Sequence, residues 1–430
     1  MFSAGTLISD VSDNGSLVFD PSVIVTNEQG KYDATDVFVE LSLPILAFQP
    51  GFEELTLDVA GRWSNYSTIG STESWKANLV WAPVADFALR AGVSQAVRAP
   101  NVTELFGPET GTTARPADPC DVAQINAIAE DDPSLAQNTQ ANCVADFQSF
   151  GLDPFDADGN YAFADPLSAR FSGIASGNPN LSEETADTVT YGLVFQPSFL
   201  PALNLTLDYW DISIEDAIQS VTPQDIVNSC YQGESLNDNF CPLFARNTSV
   251  SSAQFGGFNF IRLVDINFAR LEADGIDASV GYNFGFGAHD FEVSVTGTKV
   301  NSLNNFTNPT NLNDVDVELG EILRPELAGN VLLRWTWGDM SVGWQSQYLG
   351  EMLLGSARVE IDTAQTLFGD AVFLDGVWIH DLNARYDAGD NLTIYGGINN
   401  VTHTDPFISE NAFPATPRGR MIFFGGTYSL

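Results

Sequence analysis

The sequence is poor in positive charge. Its 430 residues include 17 Lys and Arg against 56 Asp and Glu, so the formal net charge is −39. Nucleic-acid binding needs clustered Lys and Arg to neutralise phosphates, and this composition argues against a nucleic-acid partner. The acidity is compatible with a cationic or metal-loaded ligand, with divalent-cation contacts to an anionic membrane surface, or with adaptation to a salty habitat. Charge alone therefore does not select a substrate.

Long apolar runs are also lacking. No stretch reaches the roughly 20 apolar residues that a helix needs to cross a bilayer. A membrane-spanning form of this chain would therefore be a β-barrel, the other structure that satisfies every backbone hydrogen bond in lipid. Charged residues make up only 17% and aromatic residues 11%, whereas soluble domains carry about a quarter charged residues. This balance favours an outer surface that meets lipid.

Signals for export and for catalysis are missing from the sequence. The start, residues 1–5, has neither the basic segment nor the apolar core of a signal peptide, so for an exported protein we expect the natural N-terminus to lie upstream. The sequence contains no Gly-x-Ser-x-Gly elbow, and its three histidines, His289, His380 and His403, form no metal-ligand pair. We expect neither enzymatic activity nor a bound cofactor.

Cysteine is scarce, and its spacing is informative. Cys120 and Cys143 lie in one polar region, and Cys230 and Cys241 in another. Two nearby pairs, each within a loop, favour local disulfides formed in an oxidising compartment. Zinc binding is the alternative, but neither pair has a CxxC spacing and the histidines lie elsewhere.

From about residue 37 the sequence repeats long strands with a period of two. The apolar side chains that would share a face in one strand are Val189, Tyr191, Leu193 and Phe195. The opposite faces carry Asn, Arg, Thr, Asp and Gln, which are too polar for a dry core but typical of a water-filled lumen. The pattern predicts an all-β protein, a transmembrane antiparallel β-barrel of about 14 strands, including a weak one near 16–26. The last strand would end at Leu430.

Short turns alternate with long polar connections. The turns lie at 49–51, 83–85, 197–201, 285–287, 338–339 and 389–390. The connections between them lie at 99–183, 215–257, 301–324, 351–376 and 403–417. Outer-membrane barrels have short periplasmic turns and long extracellular loops. We therefore expect 99–183 and 215–257 to be extracellular loops that each contain a disulfide, and the C-terminus to be periplasmic.

One short helix is expected within the second loop. Thr222 is a suitable N-cap, Pro223 suits the first helical position, and Asp225 suits the first turn. Such a helix would bring Cys230 beside Cys241.

Five segments carry a family resemblance. In chain order they are 98–106 (RAPNVTELF), 177–184 (GNPNLSEE), 207–212 (LDYWDI), 275–277 (GID) and 399–402 (NNVT). The first two flank the longest connection and are similar to the segments that open and close an extracellular loop in TonB-dependent receptors. With all five in order, the chain resembles the barrel of these receptors over roughly its last four-fifths.

The resemblance implies a fold, a location and an activity. TonB-dependent receptors form a barrel of about 22 strands around a plug domain, and they import scarce nutrients across the outer membrane of Gram-negative bacteria. Residues 1–430 would be the C-terminal part of such a barrel, without the plug domain and the first strands. The implied partners are the TonB inner-membrane complex, reached through the missing N-terminal part, a small-molecule nutrient, and outer-membrane lipid and lipopolysaccharide.

Among nutrients, the resemblance favours a ferric siderophore, and an oligosaccharide or cobalamin is a less favoured candidate. Haem is disfavoured, because haem importers of this family carry a histidine ligand between the two paired motifs, and no histidine lies between Arg98 and Asn178. Two alternatives remain open: a passive porin-type channel and a secreted β-rich glycan-binding protein. Disulfide-pinned loops and paired motifs speak against the porin, and strand length and polar inner faces speak against the secreted protein.

Candidate ligand contacts lie at the paired motifs and within the loops. They are Arg98, Asn101, Glu104, Phe106, Tyr161, Asn178, Asn180 and Tyr231. An architectural role is favoured for the motifs, because proline ends a strand ladder and Arg98 could pair with Glu104 or Glu183. The aromatic residues of the first loop could stack on a ligand, but a small loop core is favoured.

An acidic stretch of the first loop offers oxygen ligands for calcium. Its members are Asp153, Asp156, Asp158, Asn160 and Asp165. An EF-hand loop needs Gly at its sixth position and Glu at its twelfth. Counting from Asp156, Tyr161 and Leu167 occupy these positions, so that pattern fails. A looser calcium site is the minor alternative to a solvated loop.

Overall fold

The computed structural model describes residues 30–237, 239–309, 311, 313–353, 365–367, 369–407 and 413–429. Its strands are β1 (Ala34–Gln49), β2 (Phe52–Tyr66), β3 (Gly70–Val84), β4 (Phe87–Arg98), β5 (Thr110–Ala114), β6 (Phe171–Ala175), β7 (Glu184–Phe195), β8 (Leu203–Ser220), β9 (Phe244–Arg246), β10 (Phe258–Leu263), β11 (Asp265–Phe286), β12 (His289–Phe306), β13 (Asp316–Val317), β14 (Leu327–Trp337), β15 (Met340–Leu349), β16 (Met352–Leu353), β17 (Phe373–Leu374), β18 (Val377–Asp387), β19 (Leu392–Asn399) and β20 (Met421–Tyr428). Its α-helices are α1 (Val102–Phe106), α2 (Val122–Asp131), α3 (Pro133–Ser149) and α4 (Pro223–Tyr231), and two 3₁₀ turns span Cys241–Leu243 and Gly369–Val372.

One 14-stranded antiparallel sheet dominates the structure and confirms the predicted fold class. Its order is β1-β2-β3-β4-β7-β8-β11-β12-β14-β15-β18-β19-β20, and β13 pairs with the end of β12. The weak strand expected near 16–26 and the terminal Leu430 lie outside the described residues. Within the described chain, β1 and β20 are the two edges of this sheet. No described helix combines the length and apolarity needed to cross a bilayer.

The two faces of the sheet differ in chemistry. Leu89, Leu193 and Leu207 lie opposite one another on neighbouring strands, and Ile422 and Phe424 on β20 are 72% and 92% exposed. Such exposure of large apolar side chains is costly in water, but it suits a face that meets lipid. The strand alternation predicted from the sequence is thus present.

The opposite face carries ion pairs between strands. Arg90 on β4 and Asp208 on β8 both lie opposite Gly192 on β7. Arg90 Nε donates to Asp208 Oδ1 at 2.6 Å across the intervening strand. A side chain on Gly192 would collide with the Asp208 carboxylate. Glycine is therefore required between the two charged residues.

Short turns gather at one end of the sheet, called here the turn side, and long connections at the other, called the loop side. Gly51, Gly287, Gly338 and Gly389 adopt positive φ in the turns, which glycine does at little cost. The second long connection begins at 221 and ends at 264, later than the expected 215 and 257. It begins later because β8 pairs with β11 as far as Ser220. It ends later because Phe258–Leu263 form β10 of a separate four-stranded sheet, and β11 begins only at Asp265.

The two longest connections, 99–183 and 221–264, fold together into what we call the loop domain. A four-stranded sheet of order β5-β6-β10-β9 joins them, with β6 and β10 in parallel. One hydrophobic core draws on both connections; its fully buried large members are Phe147, Ile226, Val227, Tyr231, Phe258 and Ile261. The loop domain therefore has a core of its own, apart from the large sheet.

Both predicted disulfides are confirmed, and the zinc alternative is excluded. Cys120 bonds to Cys143 on α3, and Cys230 on α4 bonds to Cys241. Helix α4 starts as predicted: Thr222 and Asp225 form a reciprocal capping box and Pro223 is the first helical residue.

A buried ion pair lies at the centre of the loop domain. The side chains of Arg246 and Asp118 are 2% and 0% exposed. Arg246 Nη2 donates to Asp118 Oδ1 at 2.8 Å, and Nε donates to the Tyr231 hydroxyl at 2.8 Å. Four aromatic rings surround the guanidinium, the nearest being Phe258 with its centroid 4.1 Å away. Burial by itself would lower the pKa of Arg246, but the charge of Asp118 and these hydrogen bonds raise it.

We predict that Arg246→Met destabilises the loop domain. The substitution leaves the Asp118 carboxylate buried without its cation, which costs about 3–5 kcal/mol. Hydrogen exchange of the amides in β5, β6, β9 and β10 measures this loss as faster local opening.

Arg170→Met is the control, since Arg170 is exposed and donates only to the Thr113 carbonyl. The double variant Asp118→Leu/Arg246→Met should recover much of the lost protection, because no fully buried charge is then left without a partner of opposite charge. Equal exchange in Arg246→Met and Arg170→Met would contradict the prediction.

Candidate functional site

The first long connection leaves and re-enters the large sheet through two adjacent segments, 98–107 and 177–184, called here the neck. Helix α1 begins there because Asn101 caps it: Asn101 Oδ1 accepts from the backbone N–H groups of Thr103 and Glu104, both at 2.9 Å. Glu104 Oε2 accepts from the Asn101 N–H at 2.7 Å, which completes a capping box. Two predicted site residues thus form the start of a helix.

The two halves of the neck are bonded to each other. The N–H groups of Asn178 and Gly177 donate to the carbonyl oxygens of Glu104 and Gly107 at 2.7 and 2.9 Å. A Cβ on Gly177 would lie 2.4 Å from the Gly107 nitrogen, so glycine is needed at this close approach. Thus the two family-like motifs meet in space.

Arg98 fastens the neck to the sheet. Its Nη2 donates to Glu184 Oε1 at 2.7 Å, and its Nη1 donates to Glu104 Oε1 at 3.1 Å. The prediction that Glu183 pairs with Arg98 is wrong. Glu184 lies directly opposite Arg98 in the β4–β7 register, so the two side chains share one face of the sheet. Glu104, the other expected partner, is confirmed.

Further neck residues are tied to β11. Asn178 Nδ2 donates to the Asp265 carbonyl at 2.8 Å, and the Asn180 N–H donates to Asn178 Oδ1 at 3.0 Å. The Asn180 side chain is exposed. Arg98, Asn101, Glu104 and Asn178 therefore use their side chains to build the neck, whereas Asn180 presents its amide to the surroundings.

The aromatic candidates lie mostly in apolar cores. Phe106 packs against the small cluster of Leu105, Leu181 and Ile218. The Tyr161 hydroxyl donates to the Cys120 carbonyl at 2.7 Å. Tyr231 is fully buried, and its hydroxyl donates to Asp146 Oδ2 at 2.6 Å. Burial raises the pKa of both tyrosines above the ordinary range. In this conformation Tyr231 has no surface to offer a ligand.

The loop core also takes up other aromatic residues of the first connection. Phe147 and Phe163 belong to the buried core, with Phe150 packed against it. Phe155 is 39% exposed and makes an edge contact with Tyr161. The expectation that these aromatic residues form a loop core is confirmed for Phe147, Phe150 and Phe163. Phe155 lies at the margin of that core.

The acidic stretch folds around its own backbone. Asp156 Oδ1 accepts from the N–H groups of Asp158 and Asn160, both at 2.9 Å, and the bond from Asn160 leads the causes that lower the Asp156 pKa. Asp153 accepts from the Phe155 N–H, and Asp165 pairs with Arg115 at 2.7 Å. In the described part of the chain, no three His, Cys, Asp or Glu side chains are grouped as metal ligands.

Two of the other family-like segments, 207–212 and 275–277, meet on neighbouring strands, and the third, 399–402, ends a strand. Trp210 and Gly275 lie opposite each other on β8 and β11, and a Cβ on Gly275 would lie 2.6 Å from the Trp210 ring. Asn400 has a positive φ, and its side chain bonds twice to Thr404 where β19 ends. These motifs therefore shape strand packing and a strand end rather than a ligand site.

Sequence reasoning missed the pairing of Arg246 with Asp118 and the union of the two loops. These residues are 128 positions apart, so no local pattern joins them. The only signal in the sequence for a shared core is the presence of arginine and aromatic residues near the cysteines.

Comparison with known proteins agrees with this architecture. The family model described as TonB dependent receptor-like, beta-barrel matches residues 5–401. No curated protein matches the chain.

Solved structures share the fold at low sequence identity. A variant of the ferric enterobactin receptor PfeA from Pseudomonas aeruginosa is 16% identical with a TM-score of 0.57, over 93% of this chain and 45% of that one. The siderophore receptor PirA from Acinetobacter baumannii is 14% identical with a TM-score of 0.55, over 94% and 47%. The FrpB iron transporter from Neisseria meningitidis is 13% identical with a TM-score of 0.50, over 94% and 46%. The chain thus spans less than half the length of these structures.

The family match extends over nearly the whole chain, and the large sheet, its two chemically distinct faces and the paired motifs of the neck agree with it. The family implies an outer-membrane location. This chain belongs to the TonB-dependent receptor-like β-barrel family.

Proposed function

We propose that the chain is the C-terminal barrel portion of an active importer in the outer membrane. The receptor binds a scarce nutrient at the loop side and transports it with energy passed through TonB. A ferric siderophore is the first candidate, and an oligosaccharide or cobalamin the second. In this proposal the loop side is extracellular, the C-terminus is periplasmic, and lipid and lipopolysaccharide surround the apolar face.

The observation that carries the proposal is the loop domain. A passive pore needs a clear path, whereas here two connections, both disulfide-bonded, form one folded unit held at the rim by the neck. A unit with its own core is a rigid surface on which ligand contacts can be fixed. The exposed apolar face of the large sheet supports a membrane protein over a secreted one.

Transport is the decisive test. We predict that cells expressing the complete receptor take up one ferric siderophore or oligosaccharide only when TonB is present, because TonB supplies the energy. Accumulation of radiolabelled iron or sugar measures it, and cells with the empty vector are the control. Leakage of unrelated small solutes that does not depend on TonB would overturn the receptor in favour of a porin.

A second prediction separates ligand contacts from architecture. Asn180→Ala should weaken binding of the transported nutrient without loosening the loop domain, because its side chain is exposed. Tyr231→Phe should loosen the loop domain without weakening nutrient binding. It removes a buried hydroxyl that bonds to Asp146 and Arg246, which lowers the stability of the loop domain by about 1.5–3 kcal/mol. Equilibrium binding and hydrogen exchange on both variants measure the two effects. A weaker Kd in Tyr231→Phe with unchanged exchange would refute this assignment.

A further inference from the structure

Arginines on the loop side are held by more carboxylates than they can neutralise. Three of them each contact two acidic residues: Arg98 with Glu104 and Glu184, Arg246 with Asp118 and Asp146, and Arg324 with Glu318 and Glu321. Each cluster therefore keeps one negative charge. At each of the three guanidinium groups, an anionic ligand would therefore compete with carboxylates that are already in place.

Other cations of the loop side are paired one to one. Examples are Arg115 with Asp165, Arg262 with Glu109, Arg270 with Glu272 and Lys299 with Glu326. Within the described loop side, four cations take part in no ion pair: Lys31, Arg170, Arg418 and Arg420. By strand alternation, Arg420 falls on the same side of β20 as Ile422 and Phe424, the face assigned to lipid.

The two connections of the loop domain add a surplus of carboxylates. Their sequence contains 16 Asp and Glu against four Arg. Exposed examples are Glu130, Asp131, Asp153, Asp156 and Asp158. Charges of one sign around an entrance set up a potential that attracts opposite charges and repels like ones, over a distance of about 8 Å at physiological salt.

An anionic ligand would meet two costs here. It would approach against this potential, and at Arg98 or Arg246 it would compete with the carboxylates already in place. Displacement leaves a buried or half-buried carboxylate without its cation, which is strongly unfavourable. A neutral or cationic ligand meets neither cost.

We infer that the nutrient enters as a neutral or positively charged molecule, an inference that rests on the proposed function. Among ferric siderophores this selects hydroxamate complexes, in which three hydroxamate anions balance the charge of ferric iron. It excludes tris-catecholate complexes, which retain three negative charges. Among oligosaccharides it selects neutral sugars over uronic-acid or sulfated ones.

Matched ligands test the inference. Ferrioxamine B carries one positive charge, its N-acetyl derivative is neutral and its N-succinyl derivative carries one negative charge, around the same iron centre. These three, ferric enterobactin, and neutral and uronic-acid oligosaccharides are offered to cells that express the complete receptor, with and without TonB. We expect TonB-dependent uptake only of neutral or cationic members.

The outcomes separate the two levels of the proposal. Uptake of an anionic member at a rate equal to its neutral counterpart would overturn the inference on charge and leave the importer intact. A complete lack of TonB-dependent uptake would overturn the proposed function, and the inference with it.

Charge variants provide a second, independent readout. Glu130→Gln, Asp131→Asn, Asp153→Asn and Asp158→Asn together remove four exposed negative charges from the loop domain. We expect the ratio of uptake of cationic ferrioxamine B to uptake of its neutral N-acetyl derivative to fall about threefold at low ionic strength. The matched control removes four charges at the turn side: Glu53→Gln, Asp86→Asn, Asp339→Asn and Asp390→Asn. A ratio that stays constant, or that falls equally in the control, would contradict the inference.

Discussion

The buried ion pair between Arg246 and Asp118 is the constraint on which the loop side depends. Closing two long connections separately would cost conformational entropy with few contacts in return. The pair joins one connection to the other, and the surrounding rings exclude water and strengthen the attraction. Because a buried charge is tolerated only when it is paired, the two connections must fold together. They thereby form a domain rather than two independent loops.

The large sheet, which carries this domain, has two faces with different chemistry. Exposed apolar side chains cover one face, while ion pairs such as that of Arg90 with Asp208 cross strands on the other. The neck lies at the boundary, where Arg98 at the end of β4 holds both the sheet and helix α1. The neck thus ties the loop domain to the sheet through a short, hydrogen-bonded segment.

Local patterns in the sequence were sufficient for much of this architecture. The alternation of apolar and polar residues predicted the strands, and glycine and proline predicted the turns. Thr222 and Pro223 marked the start of α4. Contacts between distant residues were not accessible: Arg246 and Asp118 are 128 positions apart, and Tyr231 belongs to the core although it was a candidate ligand contact. A shift of one residue, from Glu183 to Glu184, decided the partner of Arg98, and only the strand register resolves it.

In the proposed importer, both connections of the loop domain would bind the nutrient as one unit. Hydrogen exchange of the complete receptor, measured with and without its transported nutrient, tests this most directly. We expect added protection in both connections, 99–183 and 221–264, since each is coupled to the other through the shared core. Protection confined to one connection, or found only in the large sheet, would contradict the account.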